Sequence, residues 1–146
     1  MITERKNLSV FSNSVEETEE MGAGLAGLLK SGDLVVLTGP LGAGKTCFIR
    51  GLARGLGVPD DEIKSPSFTI LYEYRGRLPF YHFDLYRLEK PSELYHTGWD
   101  EYLLREGIIA VEWGEKAGEL LPDSRIDVRM DIQSDSRRQI SIVFIK

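Results

Sequence analysis

Gly39-Pro40-Leu41-Gly42-Ala43-Gly44-Lys45-Thr46 fits the phosphate-loop pattern G-x-x-x-x-G-K-[ST] throughout. Such a loop turns successive backbone N–H groups inward as an anion cradle. Lys45 supplies an ammonium group for the terminal phosphates and Thr46 a hydroxyl for Mg²⁺, while the following helix points the positive end of its dipole at the anion. Roughly one unrelated chain of this length in a couple of hundred would carry the pattern by chance. The flanks lower that figure: Leu34-Val35-Val36-Leu37-Thr38 reads as a buried strand, and Phe48, Ile49, Leu52, Ala53 and Leu56 recur at helical spacing. The expected cofactor-binding residues are therefore Gly39, Pro40, Leu41, Gly42, Ala43, Gly44, Lys45 and Thr46, with Cys47 alongside.

Binding becomes hydrolysis only with a metal-directing acid and a group that positions the attacking water. Two acids stand where strands should end. Glu112 follows the apolar run Ile108-Ile109-Ala110-Val111, and Asp84 follows Phe80-Tyr81-His82-Phe83. Either one can hold Mg²⁺ while the other orients water, so both join Lys45 as catalytic candidates and Thr46 as metal candidates. Ser65-Pro66-Ser67-Phe68-Thr69 offers the hydroxyls of Ser65, Ser67 and Thr69 near the site, although its spacing reads first as a connecting loop. His82, inside an aromatic strand, is expected to pack or hydrogen-bond rather than act as a base, and His96 to lie at the surface. No N-K-x-D element follows the loop, because the only asparagines are Asn7 and Asn13; no aspartate has glycine three residues on. Guanine recognition and a Ras-like switch are thereby excluded, which favours ATP.

These groups need a scaffold that gathers strand ends. Ser14-Val15-Glu16-Glu17 is a capping box opening a helix over about Val15–Leu29. A first strand is expected over Asn7–Phe11, and Gly55, Gly57 and Pro59 close the phosphate-loop helix. Phe68–Tyr74 and Leu78–Phe83 form a hairpin about Arg75-Gly76-Arg77, with Pro79 suggesting an edge strand. The aromatics of this segment are expected mainly in the core. Short helical pieces are expected over 91–95, 99–105 and 115–121. The continuous apolar run at Ile108 marks a central strand, and the alternation in Arg125–Ile132 and Ile140–Phe144 a C-terminal antiparallel hairpin. The fold class is α/β, a three-layer phosphate-loop NTPase fold with parallel central strands and added antiparallel ones. Ligands of such sheets sit beyond the carboxyl ends of the strands.

With 146 residues the chain is expected to form one domain, residues 1–146. No apolar run approaches the ~20 residues of a membrane span, and the polar N-terminus lacks a secretory signal, so a cytoplasmic location with no membrane partner is expected. One cysteine excludes an internal disulfide. The net charge of −5, with acids gathered at Glu16, Glu17, Glu19 and Glu20, disfavours a strong direct grip on bare nucleic acid.

Together these pieces resemble the TsaE (YjeE/YdiB) family, small bacterial ATPases of tRNA threonylcarbamoyladenosine synthesis. The resemblance rests on Ser14, Glu17 and Thr18, the phosphate loop, Ser65-Pro66-Ser67-Phe68, His82-Phe83-Asp84-Leu85-Tyr86-Arg87-Leu88 and Val111-Glu112-Trp113. Ser67 departs from the family's usual threonine but keeps the hydroxyl. The resemblance implies ATP and Mg²⁺ as cofactors, TsaD and TsaB as partners, and tRNA contacted only through that assembly, which the ATPase resets after each turnover. It further implies that Glu112 directs Mg²⁺, that Asp84 is the hydrolytic residue, that Trp113 is a site or interface residue, and that Thr18 and Arg138 approach the nucleotide. Hydrolysis is expected to be slow alone and faster with partners. A small-molecule kinase and a nucleotide-gated binding module with incidental hydrolysis are the alternative functions.

Overall fold

Segments apolar on both sides must be covered on both sides, whereas alternating ones need only one cover. That distinction orders the sheet. In the computed structural model, which describes residues 2–64 and 70–145, the chain runs β1 (Leu8–Ser12), α1 (Val15–Ala26), β2 (Leu34–Thr38), α2 (Lys45–Gly55), β3 (Leu71–Arg75), β4 (Pro79–Asp84), α3 (Trp99–Tyr102), β5 (Ile108–Glu112), β6 (Arg125–Ile132) and β7 (Arg138–Ile145). The sheet has seven strands in the order β1-β7-β6-β2-β5-β4-β3. Its middle, β6-β2-β5-β4, is parallel, and β7, β1 and β3 are added antiparallel. The fully apolar β2 and β5 lie at its centre, and the alternating β6 and β7 form the expected C-terminal hairpin. The parallel block is wider than β2 and β5, taking in one strand of each hairpin.

Alternate residues feed two cores. Val35 and Leu37 of β2, Phe80 of β4 and Ile108 and Ala110 of β5 pack under α1 and α2 with Phe48, Leu52 and Leu25. Leu34, Val36, Tyr81, Phe83, Ile109 and Val111 face the other way, onto Trp99, Leu94 and Tyr102. Phe83 meets Trp99 edge-on, ring centroids 5.0 Å apart. This second layer consists of the short α3 and 3-10 turns at Pro91–Thr97, Gly114–Lys116 and Gly118–Leu120.

Several local expectations change. β4 lies between β3 and β5, so Pro79 is not on an edge. It is accommodated as the first residue of its strand, where the missing donor breaks least of the ladder. The predicted helix to Leu29 stops at Ala26, with Gly27 as its cap and Leu28 and Leu29 in a tightening turn. The piece expected over 115–121 is broken in two, because Gly118 takes a positive φ of 57°. α3 ends at Tyr102, short of Arg105. Ile132, counted on the core face by alternation, is 45% exposed at the end of β6. The hairpin aromatics are core as expected, except that Tyr86 is half exposed and Phe68 lies outside the described residues.

Candidate active site

Four parallel strands present their carboxyl ends on one side of the sheet, and the phosphate loop leaves β2 there. Gly39 has φ 140°, and a Cβ at that position would collide with the Met130 carbonyl of β6. Gly44, at φ 101°, turns the loop into α2, which starts with no side-chain cap. The first-turn amides of α2 are thus left facing the loop, as an anion cradle requires. Leu41, at the loop tip, is exposed.

Lys45 is buried. Its Nζ donates to the carbonyls of Gly39 at 2.6 Å and Pro40 at 2.9 Å, and lies 3.7 Å from the ring centroid of Trp113. Burial pushes its pKa down, against the pull of Glu112, Glu115 and Asp84. Trp113 is the one non-glycine residue with positive φ among those described (φ 61°, ψ 44°). A left-handed backbone costs a bulky residue about 1–2 kcal/mol, and here it folds the chain back at the end of β5 so that the indole covers the lysine.

Both acids arrive by strand pairing. Asp84 and Glu112 are register partners at the ends of β4 and β5. Glu112 is buried: Thr46 Oγ1 donates to its Oε2 at 3.0 Å, and its Oε1 lies 3.1 Å from His82 Nε2. The half-buried Asp84 accepts from the Tyr86 N–H at 3.1 Å. Burial first, and the Glu112 carboxylate second, raise its pKa. Two neighbouring carboxylates with different surroundings can divide metal holding from proton handling.

Beyond the loop lies a cavity of about 320 Å³. Its walls are Ser14, Val15 and Thr18 of the α1 entry, Gly42–Gly44 and Cys47, and Asp135, Ser136 and Arg138 of the last hairpin. Arg138 reaches across to donate to the Gly42 carbonyl at 3.1 Å, tying hairpin to phosphate loop. Thr18 lines this wall with its hydroxyl already paired to Ser12 Oγ at 2.7 Å, so it contributes shape more than a free donor. Cys47 is half buried and its thiol pKa is pushed up by that burial, which keeps it a protonated packing group. Ser65, Ser67 and Thr69 lie outside the described residues.

The residues present fit a triphosphate and its cation. Gly39 packs the start of the loop directly on the β6 backbone, Lys45 feels the charge of both acids, and Thr46 bonds Glu112. Among the described residues no group of three or more His, Cys, Asp and Glu could hold a metal. Thr46 and Glu112 offer hard oxygen atoms instead, the donor set Mg²⁺ uses when phosphate oxygens complete its shell.

Comparison with known proteins narrows this further. The profile described as threonylcarbamoyl adenosine biosynthesis protein TsaE matches residues 12–140. The chain belongs to the TsaE family. It is similar to the tRNA threonylcarbamoyladenosine biosynthesis protein TsaE of Treponema pallidum, at 40% identity covering 90% of this chain and 96% of that one. The protein of the same description from Bacillus subtilis is 41% identical, over 96% and 87% of the two chains. The crystal structure of Bacillus subtilis YdiB superposes with a TM-score of 0.80 at 35% identity, covering 99% of this chain and 89% of that one.

All candidate residues from Thr18 to Arg138 fall inside the TsaE-matched span. Three participants carry no local sequence signal: Val15, and Asp135 and Ser136 of the hairpin loop. His82 had one, since strand alternation puts it on the same face as Asp84, and its contact with Glu112 agrees with the hydrogen-bonded role expected of it. No helix among the described residues is long and apolar enough to cross a membrane.

Proposed function

We propose that this protein is a Mg²⁺-dependent ATPase that serves tRNA threonylcarbamoyladenosine biosynthesis in a complex with TsaD and TsaB. The convergence of Lys45, Thr46, Asp84 and Glu112 at the ends of β2, β4 and β5 carries this reading. ATP would lie with its phosphates along the loop amides and its adenosine toward the cavity bounded by Thr18 and Arg138. Lys45 would exchange its carbonyl partners for phosphate oxygens. Thr46 and Glu112 would hold Mg²⁺, whose chemistry there would be to offset negative charge on the phosphate oxygens. Asp84, whose raised pKa suits a proton acceptor, would orient the attacking water. Trp113 would cover this end of the site.

The kinase alternative gains nothing from the arrangement, because Arg105, one of two arginines available for a lid, is engaged with Glu73 and the Tyr102 ring. Hydrolysis is proposed to be slow alone and faster with partners, and tRNA to be met through the assembly, consistent with the acidic charge of the chain.

Titration calorimetry of the purified chain with ATP and Mg²⁺ tests the reading. The native protein should release binding heat, and Lys45→Ala should weaken affinity about 10- to 100-fold, the value of one charge-assisted phosphate bond. No heat from the native protein, or an unchanged Lys45→Ala titration, removes the proposal.

A further inference from the structure

We infer that His82 is a positioning residue for the metal site: it fixes the orientation of Glu112 and thereby the strength with which Mg²⁺ joins the bound nucleotide. The inference rests on the proposed assignment of Thr46 and Glu112 to Mg²⁺.

Glu112 has two carboxylate oxygens and each has one partner. Thr46 Oγ1 donates to Oε2 at 3.0 Å from the first turn of α2, and His82 Nε2 meets Oε1 at 3.1 Å from β4. An ionised carboxylate only accepts, so the shared hydrogen belongs to Nε2. The carboxylate plane is thus held at both ends, by elements on either side of it. His82 itself has little freedom. It is buried, its ring stacks on Tyr72 with centroids 5.5 Å apart, and strand pairing sets it opposite Ala110, two residues before Glu112 on β5.

Mg²⁺ demands near-ideal octahedral geometry and dehydrates reluctantly, so a carboxylate free to rotate serves it poorly. Without the Nε2 donor, Oε1 would be a buried acceptor with no fixed direction, and Glu112 could swing within the pocket. His82 contacts neither phosphate nor cation in this scheme. Its effect passes through Glu112, and outer partners of this kind typically change metal affinity by 10- to 100-fold.

Three substitutions separate positioning from filling. His82→Phe keeps the ring and its stacking but loses the donor. His82→Gln can place an amide nitrogen near the position of Nε2, whereas His82→Asn places it near that of Nδ1. Each variant is titrated with Mg²⁺ in the presence of a non-hydrolysable ATP analogue, with the nucleotide also titrated in EDTA and thermal unfolding recorded without nucleotide. His82→Phe and His82→Asn should need about tenfold more Mg²⁺ than the native protein, with unchanged affinity in EDTA, and His82→Gln should recover most of the loss. A native-like Mg²⁺ midpoint in His82→Phe overturns the inference. So does equal impairment of Gln and Asn, which would make His82 a packing residue; that comparison stands even where His82→Phe does not fold. If the native protein itself shows no Mg²⁺-dependent nucleotide binding, it is the metal assignment that fails, a result distinct from either of these.

Discussion

Asp84 sits beside a second carboxylate in a half-buried place, an arrangement that costs stability whenever both are charged. Because its folded pKa lies above the ordinary value, the folded state holds the proton to a higher pH than the unfolded chain does. Stability therefore falls as pH rises through that raised value, and the cost is fully present above it. Asp84→Asn removes the charge and should raise the melting temperature at pH 8 by on the order of 1–3 °C, the gain closing below about pH 4. The same substitution should leave ATP affinity near native while lowering single-turnover hydrolysis by at least about 100-fold. Calorimetric scans at two pH values and a phosphate-release assay check both halves. An Asp84→Asn protein that is less stable at pH 8 and still hydrolyses would leave Asp84 only its bond to the Tyr86 N–H, a turn cap.

α1 and α2 owe their close contact to glycine. A Cβ on Gly51 would collide with the Glu19 carbonyl of α1, and one on Gly22 with the Phe48 carbonyl of α2. The two helices carry opposite walls of the site, with Thr18 on one and Lys45 to Cys47 on the other. Gly51→Ala should therefore destabilise the fold by about 1–3 kcal/mol, as overpacking does, and weaken ATP binding as α1 is pushed away. Gly27→Ala is the contrasting case. Gly27 caps α1 at φ −64°, and the nearest atom to an added Cβ is the Gly24 carbonyl at an ordinary 3.5 Å. It should gain about 0.4–1 kcal/mol through a stiffer unfolded chain. Urea unfolding of the two variants gives both signs. The capping box at Ser14 was readable in advance, since the Glu17 N–H donates to Ser14 Oγ; the carboxylate of Glu17 reaches back to the Asn13 N–H, one residue earlier than the motif implies. The glycine crossing was not readable, because helical spacing marks a face without naming what packs on it.

Two packed layers share one continuous sheet, and the site draws on strand ends from its centre and on the hairpin beside it. Ligand binding should consequently stabilise the fold as a unit. At ATP·Mg²⁺ one hundred times its dissociation constant the gain is about 2.7 kcal/mol, which should lift a single unfolding transition by roughly 5–10 °C. Differential scanning calorimetry should show one peak that moves intact. A peak that splits, with only part responding, would mean that the hairpin β6–β7 unfolds apart from the phosphate loop despite the Arg138–Gly42 tie.

What contiguous residues encode was legible beforehand: the phosphate loop, the burial of β2 and β5, the alternation of β6 and β7, and the acids at two strand ends. These depend on backbone geometry and side-chain period, which neighbours in the chain set between them. The joining of Thr46 to Glu112, His82 to Glu112 and Arg138 to Gly42 spans 66, 30 and 96 residues. Such pairs exist only once β4, β5 and β2 lie in order and the last hairpin folds against the loop. The same ordering placed Pro79 inside the sheet and laid Trp113 over Lys45. Local pattern marks β2 and β5 as central, but which strands pair beside them, and in what register, are long-range choices made by total burial.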